Sequence, residues 1–147
     1  MGTDSALKEL AEALRDLHRR VAERARRVEA SERHVIISPE EFLHLLLSDP
    51  RFAWLRALSE LIVDLDVFLR AEPAPTDDEA AAIRSEVERM IGAPAYLRYV
   101  NEDSRVAVVH RRARRLAQHL PKADSVNEAD VLHERHRWAE ARRHARR

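Results

Sequence analysis

The chain has 147 residues with balanced charge, 26 basic against 26 acidic, no cysteine, and glycine only at Gly2 and Gly92. That length buries a core as one domain without staples, while the missing cysteine excludes disulfides, zinc–thiolate sites and cysteine nucleophiles and fits a reducing compartment. So few glycines exclude a P-loop or dinucleotide-type phosphate cradle, and without a charged-then-apolar leader or an apolar run of about 18 residues, secretion by a standard signal and membrane spanning are not expected.

Alternating β-branched runs with tight-turn glycines are missing, and the one strand candidate, His34-Val35-Ile36-Ile37, is too short to build a sheet. The expected class is all-α, a single domain over residues 1–147 built as a bundle of five to six helices. Thr3 to about Glu29 reads as a long amphipathic helix. Leu7, Leu10, Leu14, Leu17, Val21 and Val28 recur at spacings of three and four, broken at Arg24, as in a coiled-coil seam. Asp16–Arg20 and Glu23–Arg27 are i, i+4 pairs on its outside. At roughly 40 Å this helix outruns the others, so its seam is expected to overhang and to receive a second copy of the chain. Residues 30–37 connect, with Val35, Ile36 and Ile37 expected in the core.

Ser38, Pro39 and Glu41 make a capping box with proline at the first helical position, opening a short apolar helix with Phe42, Leu43, Leu45, Leu46 and Leu47. Asp49-Pro50 restarts the chain. Over residues 50–70, Trp54, Leu58, Leu61, Leu65 and Phe68 form one stripe flanked by Leu55, Ile62 and Leu69, while Val63 and Val67 put apolar surface opposite. A helix this apolar around its circumference is expected to be the centre of the bundle. After the proline-rich turn 71–76, Thr76 and Glu79 form another capping box. The next helix turns Ala80, Ile83, Val87, Met90 and Ile91 inward and stops at Gly92 and Pro94. A short helix presents Tyr96, Leu97 and Val100. Asp103 or Ser104 then caps a helix to about His119 with Val106, Val109, Ala113, Leu116 and Leu120 inward. Ser125 and Glu128 open a polar, basic last helix at about 125–147 that frays at its end.

Charge is unevenly spread. Residues 105–147 carry 12 Lys+Arg against 5 Asp+Glu, leaving 14 against 21 before them. Arg105, Arg111, Arg112, Arg115 and His119 gather opposite the apolar face of their helix. With Arg142 and Arg143 of the tail they form a basic face able to follow a phosphate backbone or an acidic partner, although no aromatic platform or helix-turn-helix accompanies it. Glu41 and His44 have the Glu-x-x-His spacing of di-iron bundles, with Asp64 and His133 as further candidate ligands. Only one complete Glu-x-x-His pair occurs, Glu41 is claimed as a cap, and His133-x-x-His136 is one residue short of the zincin spacing. No metal or other cofactor is expected. No Ser/His/Asp arrangement is readable among the dispersed histidines.

The segments SPEEFLHLLLSDP and FAWLRALSELIVDLD, within Ser38–Asp66, resemble a block found in a family of small all-helical bacterial proteins of unknown function. The resemblance extends over about the first 120 residues. It implies an all-α bacterial cytoplasmic protein and assigns no catalytic residue.

The leading expectation is a non-enzymatic interaction or regulatory protein, self-associating or binding another protein through Val63, Val67 and the seam residues Leu14, Leu17 and Val21. Nucleic-acid or acidic-partner binding by the arginine face is the second reading. A carboxylate–histidine metal site is the third.

Overall fold

The computed structural model describes residues 2–70 and 74–122. Among these residues it holds six α-helices and no strand: α1 (Thr3–Arg33), α2 (Pro39–Ser48), α3 (Ala53–Arg70), α4 (Asp77–Ile91), α5 (Pro94–Glu102) and α6 (Ser104–Gln118). A single 3-10 turn, Pro50–Phe52, leads into α3. None of these helices is long and apolar enough to cross a membrane. The expected basic helix at 125–147, with His133, Arg142 and Arg143, lies outside the described residues, as does part of the proline-rich turn.

Starts of helices follow local chemistry. Ser38 Oγ accepts from the Glu41 N–H at 3.1 Å with Pro39 at the first position. The box is half-formed, because the Glu41 carboxylate meets the Ser38 hydroxyl at 3.3 Å. At Thr76 and Glu79 both halves are present. Asp49 accepts from the Arg51 N–H, and Asp103 accepts from Arg105 and Val106. Each side chain satisfies backbone donors that have no partner inside the helix.

α1, not α3, is the hub. It packs against α3, α4, α5 and α6, and its approach to α6 is the most extensive in the fold. Arg15 pairs with Asp66 and Arg51 pairs with Glu29 at 2.9 Å, so α3 runs antiparallel to α1. Arg112–Asp16 at 3.5 Å and Arg24–Asp103 at 3.9 Å orient α6 the same way. His110 Nε2 donates to the Ile91 carbonyl at 2.8 Å and Arg84 donates to the Leu120 carbonyl at 2.8 Å, which sets α4 antiparallel to α6 and hence parallel to α1. α2 lies on α3, and Arg56 closes its C-terminus by donating to the Leu46 and Leu47 carbonyls.

The overhanging seam does not exist. Leu7, Leu10, Leu14, Leu17 and Val21 are all fully buried, and burial continues through Ala25 to Glu29. Leu14, Leu17 and Val21 therefore belong to the monomer's core and cannot receive a second copy. The step from Val21 to Ala25 also explains the break at Arg24. In a straight helix of 3.6 residues per turn the stripe drifts away from a strict heptad, so Ala25 comes inward and Arg24 moves to the edge, facing the α6 cap residue Asp103. The i, i+4 pair expected of Asp16 is not made either: its carboxylate takes Arg19 at 2.6 Å and Arg112 at 3.5 Å.

The connector also departs from expectation. Only Ile37 is buried, while Val35 is half-exposed and Ile36 is 93% exposed. α1 ends on His34, at φ 55° and ψ 40°, with the Val35 N–H reaching back to the Ala30 carbonyl. A left-handed residue costs a histidine about 1 kcal/mol that glycine does not incur. That turn throws Val35 and Ile36 outward. Gly92, by contrast, sits at φ −85° and is needed for space, since a Cβ there would lie 2.8 Å from the Glu88 carbonyl. The His34→Gly variant should gain up to about 1 kcal/mol of stability in urea denaturation; a loss would mean that the imidazole holds the corner through its own contacts.

Candidate interaction site

Two surfaces and one charged corner stand out from this frame. The first surface lies where α1 meets α2. Phe42 and Leu46 point into the core, 4% and 7% exposed, whereas Leu43 and Leu47 on the adjoining face of α2 are 53% and 62% exposed. Residues four apart stand on one face of a helix, so this pair continues α2's apolar sector out of the core. Beside it runs a groove of about 580 Å³ lined by His18, Arg19 and Ala22 of α1 and by Phe42, Leu43 and Leu46 of α2. With Val35 and Ile36 just before α2, these side chains hold most of the protein's large exposed hydrophobics among the described residues. Val63 is 38% exposed and Val67 is partly buried, so α3 offers less apolar area than the α1–α2 corner.

Arg26 ties this corner to α1. It donates to the Ile37 carbonyl at 2.8 Å and to Glu23 at 2.6 Å, and that hydrogen bond draws the Glu23 carboxyl below its usual range. His18 sits at the groove with its Nε2 buried and unpartnered, and burial holds its pKa below the ordinary 6.5.

The charged corner lies where the C-terminal turns of α1 meet the 3-10 turn before α3. Glu29, 5% exposed, forms an ion pair with Arg33 at 2.7 Å and accepts from Arg51 at 2.9 Å. Arg51 also bonds Asp49 at 2.8 Å, which lowers the Asp49 carboxyl below its ordinary range. A cleft of about 170 Å³ opens beside them, lined by Glu32, Trp54, Arg98 and Tyr99 as well. Trp54 meets Tyr96 edge-on at 4.8 Å and stacks on Tyr99 at 5.6 Å, while the Tyr96 hydroxyl donates to the Trp54 carbonyl. Glu29, Arg51 and Asp49 are matched within the corner, so its chemistry ties α1 to the start of α3.

The candidate metal ligands among the described residues do not converge. Glu41 is engaged with its cap and His44 is exposed on α2, whereas Asp64 is buried on α3. No group of three or more histidine, aspartate or glutamate side chains suited to a metal ion forms among the described residues. Asp66 meets Arg15.

The second surface is the arginine face. Arg105, Arg111 and Arg115 are exposed on α6 as expected, while Arg112 is drawn to Asp16. Arg114 is exposed beside them and completes a cluster that the apolar pattern alone did not single out. No protein-family model, curated protein or solved structure matches this chain.

The depressed His18 pKa has a definite sign. The folded chain binds a proton there less readily than the unfolded chain, so His18's contribution is complete above about pH 6.5 and is lost as pH falls through the lower folded value. Glu23 and Asp49 act in a separate window, below about pH 4.5. Urea midpoints should therefore fall for the wild-type chain between about pH 7 and pH 5 by more than for a His18→Gln variant. Parallel curves over that window would contradict the burial-driven shift.

Proposed function

We propose that this chain is a non-enzymatic helical interaction protein of the bacterial cytoplasm that works as a weak homodimer, docked through the α1–α2 corner. The observation that carries the reading is the set of exposed aliphatic side chains Ile36, 93% exposed, Leu43 and Leu47, with Leu43 on the groove that Phe42 and Leu46 also line. Exposed apolar side chains gathered beside a groove mark an interaction site.

A second copy suits the corner because its charges are self-complementary. Arg19 and Arg20 are exposed on the α1 wall, and Glu40 and Glu41 are exposed on the first turn of α2. A two-fold axis sets the same patch against itself, so the acidic turn of one copy can face the arginine wall of the other. Burying each aliphatic side chain contributes about 1.5–3 kcal/mol, against an association cost of about 4–15 kcal/mol. Four such side chains per copy give a dimer that forms in the micromolar range rather than an obligate one. The compartment rests on the absence of cysteine and the resemblance of residues 38–66.

Light scattering coupled to size exclusion tests this directly. Across a concentration series the mass should rise from one chain towards two, and a double variant Ile36→Ser, Leu43→Arg should stay at one chain with unchanged circular dichroism. A wild-type chain that remains monomeric at high concentration, or a double variant that still dimerises, would overturn the reading.

A further inference from the structure

The opposite side of the molecule carries a groove of different chemistry. Two adjoining hollows of about 340 and 460 Å³ run along the seam of α5 and α6 and share Leu97, His110, Arg114 and Gln118. One reaches Ile91 at the end of α4, and the other reaches Val100, Arg111 and Arg115. Its walls are held firmly from behind. His110 is buried and donates to the Ile91 carbonyl, and Arg84 donates to the Gln118 and Leu120 carbonyls, so α4 and α6 close each other's C-termini.

Most arginines elsewhere among the described residues are occupied. Arg15, Arg26, Arg33, Arg51, Arg56, Arg84, Arg89 and Arg112 each meet a carboxylate or a backbone carbonyl. Arg111, Arg114 and Arg115 meet no carboxylate among the described residues, and the sequence from Arg105 to Lys122 contains no acidic side chain at all. These three stand at i, i+3 and i+4, the spacing at which like charges on a helix repel. A partner that supplies carboxylates relieves that repulsion and can engage the guanidinium groups in pairs.

The floor decides which anion fits. Leu97 is 40% exposed and Val100 is partly buried against the core, and Val108, 63% exposed, stands beside Arg111 and Arg115 on α6. A phosphate backbone has no use for aliphatic surface, and the bases of a nucleic acid need aromatic faces to stack on. Tyr96 and Tyr99 are buried, and Trp54 is packed against them. Aliphatic floor and arginine rim together match an amphipathic helix with a leucine-type stripe flanked by acidic side chains.

We infer that the α5–α6 groove docks an acidic amphipathic helix of a partner protein, its apolar stripe on Leu97 and Val100 and its carboxylates on Arg111, Arg114 and Arg115. Fluorescence anisotropy on the full chain tests it with a labelled peptide of about 18 residues, five helical turns. The peptide carries leucine at i, i+3, i+4 and i+7 and glutamate on both flanks. The comparison ligands are a scrambled peptide of the same composition and single-stranded DNA of about 20 nucleotides.

The amphipathic peptide should bind at least about tenfold more tightly than the scramble. Affinity should fall by about tenfold or more in the charge-reversed triple variant Arg111→Glu, Arg114→Glu, Arg115→Glu, and by about tenfold in Leu97→Lys. All four positions are exposed, so circular dichroism should not change. Leu97→Lys adds positive charge, so its loss of binding separates the apolar floor from general attraction to the basic face. Equal binding of peptide and scramble would overturn the inference. So would unchanged affinity in either variant, or DNA that displaces the peptide at a lower concentration than unlabelled peptide does.

Discussion

Burial of the leucine stripe on α1 is the constraint on which the rest of the fold depends. Leu7, Leu10, Leu14, Leu17 and Val21 are removed from solvent completely, and the helices that cover them are α3 through α6. Each leucine contributes about 1.5–3 kcal/mol of transfer free energy, and no other helix is touched by so many partners. Ala113 and Ala117 of α6, both fully buried, keep side-chain volume low where the two longest-contacting helices approach. The ion pairs along these contacts add orientation. Arg15 with Asp66 and Arg112 with Asp16 are partly exposed, and such pairs contribute little net stability. They do select one alignment of α3 and α6 on a wall that apolar packing alone would leave free to slide.

Arginine serves this chain in two ways. Arg51 bridges the Asp49 and Glu29 carboxylates, and three other side chains act as ties to irregular backbone: Arg26 on the Ile37 carbonyl, Arg56 on the end of α2 and Arg84 on the end of α6. Each of these three satisfies acceptors left over at the end of a helix or in a connector, and each sits where two elements meet. Another three, on α6, serve no such purpose within the described residues. The contrast separates the arginines that hold the fold from those that face outward, a distinction invisible in composition.

Much of the architecture was legible in the sequence, because it was written in local rules. Proline and capping residues at Ser38, Asp49, Thr76 and Asp103 place helix starts to within a few residues, and the apolar periods of α4 and α6 name the inward faces of both helices. What failed was global. Residues 50–70 are the most apolar stretch, and so looked central. Yet centrality depends on how many neighbours a helix meets, and the longer α1 meets more. The seam on α1 reads as a heptad because over three heptads the periods 3.5 and 3.6 diverge by only about 60°. The exposure of Val35 and Ile36 hangs on the single left-handed residue His34, which no apolar pattern announces. For the same reason the α1–α2 corner was missed as a surface. Val63 and Val67 stand out by helical angle alone, which carries no measure of the corner's larger apolar area. Glu41 and His44 have the Glu-x-x-His spacing and Asp64 is a further ligand type, but the three do not gather into a metal-binding group.

Native-state amide exchange tests the central claim most directly. If α1 is the common wall, the slowest amides should lie between Leu10 and Ala25, exchanging only on global unfolding, with those of α3 opening no more slowly. Slowest exchange concentrated in Leu55–Leu65, with the middle of α1 opening earlier, would show that the fold is built on α3 instead.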